Sequence, residues 1–101
     1  MSVEGIVLAA GLSTRSGRYK MALPLGDATV IERSVGGMLP FVERVLVVVG
    51  WQADRIRELL AGYERVELVH NERYREGMLS SVKCGVEQVS ASRFFLLPGD
   101  I

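Results

Sequence analysis

Cysteine, histidine and tryptophan each occur once in this sequence of 101 residues, and neither sign of charge is in surplus. Twelve basic residues balance twelve acidic ones. Nucleic-acid coats and membrane-surface binders rely on a positive excess, so no nucleic acid and no membrane are expected as partners. The lone Cys84 has no second cysteine to pair with, which fits a reducing compartment and a cytoplasmic location. Met1-Ser2-Val3-Glu4 lacks the basic start and long apolar core of a signal peptide. Long hydrophobic runs are missing too: none exceeds Val45 to Val49 in length, far short of a bilayer's thickness. With His70 as the one histidine, no credible Ser-His-Asp set exists.

What is present is the composition of an ordinary globular domain, 49% hydrophobic and 24% charged, with room for a single compact unit. Four short apolar runs recur: Ile6 to Ala10, Val45 to Val49, Val66 to Val69, and Phe94 to Leu97. Three are continuous, as strands of a parallel sheet covered on both faces would be. The third run carries Glu67 and reads as a strand nearer an edge. Helical periodicity fills the gaps. Thr29-Val30-Ile31-Glu32 is a capping box, after which Ile31, Val35, Met38 and Leu39 share a face and Pro40 marks the stop. A second helix is expected over about Gln52 to Leu60, burying Ile56, Leu59, Leu60 and Tyr63, with Asp54 at its start and Gly62 at its end. A third, over about Leu79 to Val89, would bury Leu79, Val82, Val86 and Val89. The order β, long loop, α, β, α, β, α, β predicts an α/β fold: a three-layer, Rossmann-like parallel sheet with crossover helices.

The most informative stretch is Leu8-Ala9-Ala10-Gly11-Leu12-Ser13-Thr14-Arg15-Ser16-Gly17-Arg18-Tyr19-Lys20. It follows the first strand, and loops at the carboxyl ends of parallel strands are where ligands bind in open α/β sheets. It offers small residues, hydroxyls and three cations, and no acid intervenes between Ile6 and Gly26. Bare amides, arginine and lysine together suit a polyphosphate, whereas composition alone fits a solvated surface loop equally well. Spacing excludes two known phosphate loops. No Gly-Lys pair follows Gly11 as a P-loop requires, and Gly-x-Gly-x-x-Gly is absent. Lys20 is one of two lysines among twelve basic residues, a mobile point charge where arginine is the chain's habit.

Leu8-Ala9-Ala10-Gly11, Ser13, Arg15, Gly17, Lys20, Leu23-Pro24-Leu25-Gly26 and Ile31-Glu32 resemble the opening signature of the MobA/MocA-like nucleotidyltransferases. Two later stretches fit the same family: Asn71 with Glu76-Gly77-Met78-Leu79-Ser80-Ser81-Val82-Lys83-Cys84-Gly85, and Leu96-Leu97-Pro98-Gly99-Asp100. Nearly the whole chain is covered. The resemblance implies a GT-A-type fold and transfer of a nucleoside monophosphate from an NTP to an acceptor phosphate such as molybdopterin, releasing pyrophosphate. An acceptor phosphate is already ionised, so the chemistry would rest on alignment and charge neutralisation. By the same resemblance Lys20 and Arg15 would be catalytic, stabilising the phosphates. Leu8, Ala9, Ala10, Gly11, Asn71, Gly77 and Ser81 would bind the nucleotide, and Asp100 would hold Mg²⁺. Members reading Leu-Ala-Ala-Gly tend to use CTP and those reading Leu-Ala-Gly-Gly GTP, so Ala10 points to CTP with GTP as the alternative.

Each residue has a plainer reading. Asn71 and Pro98-Gly99-Asp100 suit simple turns, Ser80 and Ser81 suit caps, and His70 suits a satisfied edge residue. Cys84 reads as a packed side chain and Trp51 as packing at a helix start. Complete family members continue well past the position of Asp100. The expectation is therefore that residues 1–101 form the nucleotide-binding part of a single nucleotidyltransferase domain, truncated to that half. Its last strand would carry an uncovered apolar margin at Phe94, Phe95 and Leu96 and favour self-association. Sugar-phosphate nucleotidylyltransferases, which usually carry Pro-Lys where this chain has Tyr19-Lys20, and non-catalytic nucleotide-binding modules remain alternatives.

Overall fold

The computed structural model describes residues 3–10, 14–15, 18–22, 24–26 and 28–98, with the backbone alone for 14, 15, 18–20 and 25. Four strands form the main sheet: β1 (Val3–Ala9), β6 (Arg44–Val49), β7 (Val66–His70) and β8 (Arg93–Pro98). Their order is β7-β6-β1-β8 and every pairing is parallel. The helices are α1 (Val30–Met38), α2 (Ala53–Leu59) and α3 (Met78–Val86). Two small hairpins lie between β1 and α1. One pairs β2 (Thr14–Arg15) with β3 (Arg18–Tyr19), the other β4 (Pro24–Leu25) with β5 (Ala28–Thr29).

The alternation of side chains along each strand divides the core into two layers. Val7 and Ala9 of β1 and Val45, Val47 and Val49 of β6 face α1 and α2, meeting Ile31, Val35, Met38 and Ile56. Ile6, Leu8, Ala10 and Val48 face the other way, toward Val82, Cys84 and Val89. The chain thus steps from β1 to β6 to β7 with its helices on one face and returns to β8 with α3 on the other. Crossovers of a single hand require that alternation. The expected three-layer α/β architecture is borne out.

Local chemistry explains where α1 begins. The Glu32 backbone N–H donates to Thr29 Oγ1 at 3.3 Å, and the Thr29 backbone N–H donates to Glu32 Oε1 at 3.1 Å. These reciprocal bonds are the capping box read from the sequence. Glu32 is used again, accepting the Tyr63 hydroxyl at 3.1 Å and so tying the segment after α2 to α1. Burial, reinforced by this carboxylate, pushes the Tyr63 phenol above its ordinary value.

Three expectations need correction. The third helix starts one residue earlier than expected and ends at Val86; Val82 and Val89 pack toward the sheet as expected, but Leu79 and Val86 do not. Leu79 is 65% exposed and Val86 39%, whereas Ser81 and Gly85 are buried. Size is the reason: α3 lies so close to the sheet that a Cβ on Gly85 would stand 2.9 Å from Ile6 Cγ2 and 3.0 Å from Val48 Cγ2. Small residues alone fit that contact. Gly62 does not supply a left-handed cap for α2; the positive φ falls on Arg65, at 62°. Finally, the apolar run of β8 is not covered on both faces. Among the described residues β8 is an edge strand, and Phe94, Phe95 and Leu96 are exposed, the uncovered margin also anticipated from the sequence. At the other edge β7 fits its expected place.

Candidate functional site

Parallel strands bring their carboxyl ends to one rim. Ala9 stands opposite Val49, Val49 opposite His70, and Leu8 opposite Pro98. Main-chain bonds continue the pairing past the strands: the Trp51 N–H donates to the Ala10 carbonyl at 3.4 Å, and the Asn71 N–H to the Val49 carbonyl at 2.7 Å. The segments leaving β1, β6, β7 and β8 therefore start side by side, although they come from four separate parts of the sequence.

At the end of β1, Leu8, Ala9 and Ala10 are all buried. Ala9 points to the α1 and α2 layer, and Leu8 and Ala10 point to the α3 layer. With their side chains committed to the core, what these residues can offer a ligand is backbone. Gly11 lies outside the described residues. Beyond it the chain is not an irregular loop but a hairpin, with Arg15 paired to Arg18 and Thr14 to Tyr19. A single 3-10 turn, Lys20–Ala22, then packs against α1 and α2. Its anchor is Met21, 3% exposed within the core. The Lys20 backbone is fixed by its neighbour's burial, while the side chains of Arg15 and Lys20 lie outside the described residues. Met21 escaped the sequence reading because one apolar residue among polar ones leaves no periodic signal.

The end of β7 is held by a compact polar cluster. Asn71 is 5% exposed, and its Nδ2 donates to Ser80 Oγ and Ser81 Oγ, each at 3.0 Å. Its Oδ1 accepts the Arg73 backbone N–H at 2.9 Å. Gly77 precedes α3 with φ 108°, a conformation that side-chain-bearing residues rarely adopt. The structure thus brings Asn71 and Ser81 into direct contact and sets Gly77 beside them, at the start of α3. A polar cleft of about 470 Å³ opens here, lined by His70, Asn71, Arg73, Ser80, Lys83 and Cys84 among others. The Cys84 thiol lies 3.7 Å from the His70 carbonyl, to which it donates. Burial, with Glu87 nearby, pushes that thiol up, so it is not a ready thiolate and matches its reading as a packed side chain. Trp51 likewise packs against the core beside the start of α2.

One backbone feature of the rim had no signal in the sequence. Gln52, at the step from β6 into α2, adopts φ 61° and ψ 30°, left-handed values uncommon for a residue with a side chain. Asp100 lies outside the described residues, two positions past Pro98 in sequence.

An open parallel sheet whose strand ends and a glycine-led helix start meet at one rim has the layout of an α/β domain that binds ligands there. The chain belongs to the MobA-like NTP transferase domain family, whose model matches residues 5–101. It is 35% identical over 100 residues to the molybdenum cofactor cytidylyltransferase of Escherichia coli (strain K12), across 99% of this chain and 52% of that protein. A probable molybdenum cofactor guanylyltransferase of Bacillus cytotoxicus is 31% identical over 101 residues, across 98% of this chain and 49% of that one. Among solved structures, a nucleotidyl transferase from Methanothermobacter thermautotroptrophicus matches with a TM-score of 0.88 and 29% identity, over 98% of this chain and 50% of the other. The resemblance carried by Leu8 to Gly11 and the two later stretches is borne out. The chain spans about half the length of the curated relatives it matches across nearly all its residues.

Proposed function

We propose that residues 1–101 are the nucleotide-binding part of a single nucleotidyltransferase domain. That domain takes CTP, transfers CMP to a phosphate-bearing acceptor such as molybdopterin, and releases pyrophosphate. One observation carries this reading: the ends of β1 and β8 lie side by side, with Leu8 opposite Pro98. The two stretches whose residues the resemblance assigns to phosphate and to metal therefore leave the sheet from neighbouring strands. The match to a cytidylyltransferase supports CTP, and the Leu-Ala-Ala-Gly wording of residues 8–11 agrees with it.

In this reading the backbone of Leu8, Ala9, Ala10 and Gly11 follows the nucleotide, and Gly77 and Ser81, braced by Asn71, form the opposite wall. Lys20 and Arg15 bring positive charge to the phosphates. Stabilising negative charge that grows on the α-phosphate and the leaving pyrophosphate is where such a site does most of its catalytic work. An already ionised acceptor phosphate needs no general base, in keeping with a chain that has one histidine. Asp100 is the residue that would hold Mg²⁺. A carboxylate is the hard oxygen donor this ion prefers, and one or two suffice when phosphate oxygens and water complete the shell. When bound, Mg²⁺ would neutralise phosphate charge. A cytoplasmic setting suits the lone cysteine, and no helix among the described residues is long and apolar enough to cross a membrane.

Titration calorimetry with CTP, GTP and UTP, with and without Mg²⁺, tests the reading. CTP is expected to bind best and to need the metal. No heat with any nucleotide would overturn the proposal, and preference for GTP would overturn the choice of base. Pyrophosphate release with molybdopterin, set against a sugar phosphate, tests the acceptor.

A further inference from the structure

We infer that Asn71 is a positioning residue: it locks the first turn of α3 to the end of β7 and acts on the nucleotide through Ser80 and Ser81 rather than by touching it. The inference rests on the function proposed above but departs from the direct contact that the family resemblance assigns to this position.

Counting protons carries it. A primary amide has two N–H donors, and both of those on Asn71 are spent inside the protein, on Ser80 Oγ and Ser81 Oγ at 3.0 Å each. The amide cannot be turned over, because Oδ1 faces the Arg73 backbone N–H at 2.9 Å and that group can only donate. The backbone of Asn71 is pinned as well, through its N–H to the Val49 carbonyl. A nucleotide seeking a donor from Asn71 would have to break a bond at a residue that is 5% exposed. Losing a buried partner in that way is costly.

The bonds that Asn71 makes reach the segment where the ligand is expected. Ser80 Oγ lies 2.9 Å from the Arg73 carbonyl and 2.8 Å from the Gly77 carbonyl, so the Asn71 amide, the 72–77 turn and the first turn of α3 form one unit. Inside that unit sits Gly77 at φ 108°, and the Ser80 N–H bonds back to its carbonyl at 3.2 Å. The amides that open α3 point along the helix axis, and their aim follows the orientation of this turn. Small errors in placing such groups cost much of their value to a bound phosphate ester.

The test is a mutant cycle on the full chain, with CTP and Mg²⁺ as the calorimetric probe. Asn71→Ala is expected to weaken binding about tenfold, Ser80→Ala with Ser81→Ala by a similar factor, and the triple variant by no more than either. Factors that multiply toward about a hundredfold would mean that Asn71 acts independently, and would overturn the inference. Unchanged affinity in Asn71→Ala would overturn it too. Amide hydrogen exchange gives a second readout: rates at residues 78–81 should rise in both Asn71→Ala and the double serine variant, and unchanged rates refute the lock. Should Asn71→Ala not fold, Asn71→Asp replaces it, keeping the acceptor toward Arg73 while removing both donors. A wild-type chain that binds no nucleotide removes the functional reading itself and this inference with it, an outcome distinct from binding that ignores Asn71.

Discussion

The Arg44 guanidinium grips the buried carboxylate of Glu4 at the amino end of the sheet, Nε to Oε2 at 2.9 Å. The same arginine reaches Glu67 and donates to the Gln88 carbonyl at 3.0 Å. Glu4 in turn accepts the backbone N–H groups of Ser90 at 2.9 Å and Ala91 at 3.4 Å. Two ion pairs that share Arg44 thus join β1, β6 and β7, and hydrogen bonds from the same groups add the turn before β8, at the end of the sheet opposite the candidate site.

This cluster makes stability fall in acid. Burial alone would raise the Glu4 pKa, but the Arg44 bond and the amides of Ser90 and Ala91 together hold it below its ordinary value of 4.5. A carboxylate depressed on folding contributes stability that is complete above its unfolded pKa and lost as pH drops through the folded one. Glu4→Gln is expected to cost about 2 kcal/mol at neutral pH, the scale of a hydrogen bond to a charged group. Urea unfolding of both proteins at steps from pH 7 to pH 3 should show the gap closing below 4.5. A constant gap would remove the charge from the explanation.

Gly85→Ala is expected to destabilise the chain by about 1 kcal/mol, the overpacking cost exceeding the helix-propensity gain. The new methyl meets Ile6 Cγ2 and Val48 Cγ2, branches of fully buried side chains that cannot swing aside. Gly36→Ala is the control: it is an exposed helical position with nothing within 4 Å, so about 0.5–1 kcal/mol of gain is expected. Thermal melts that shift both variants the same way would contradict the close packing of α3.

These effects show where sequence reasoning reaches and where it stops. The Thr29–Glu32 box spans three residues and is written locally, and the apolar runs of β1 and β6 announce buried parallel strands by themselves. The inward face of α3 is different. Periodicity favours Leu79 and Val86, yet the contact selects for smallness, and Ser81 and Gly85 win because Ile6 and Val48 stand so near. Glu4 and Arg44 lie 40 residues apart and only the parallel register joins them, with Glu4 directly opposite Arg44. Within the candidate site, the positive charge of Arg15 and Lys20 is legible from residue type. The anchoring of the Lys20–Ala22 turn by Met21 and the inward turn of Asn71 needed the fold.

The edge strand β8 makes a prediction about solution behaviour. Phe94 is 42% exposed and Phe95 54%, on the strand that ends the sheet among the described residues. An apolar edge of this kind is a template for pairing with another chain. The 101-residue chain is expected to elute from a sizing column above its monomer mass at high concentration, and Phe95→Lys to shift it toward the monomer. A monomeric wild type at every concentration would contradict this.

Lys20 carries the sharpest functional prediction. In the proposed reaction its ammonium meets charge that exists fully only as the phosphoryl group is in flight. Removing it should therefore lower kcat more than it weakens nucleotide binding. For the proposed reaction, Lys20→Ala is expected to reduce turnover by about a hundredfold or more, as loss of a transition-state donor does elsewhere. Lys20→Arg should recover only part of the rate, because a planar fork does not replace a point charge. Met21→Ala offers a contrast: it frees the 3-10 turn from the core and should impair stability and rate together. Pyrophosphate-release rates alongside thermal midpoints separate the two cases, and a Lys20→Ala enzyme with near wild-type kcat would take this residue out of the chemistry.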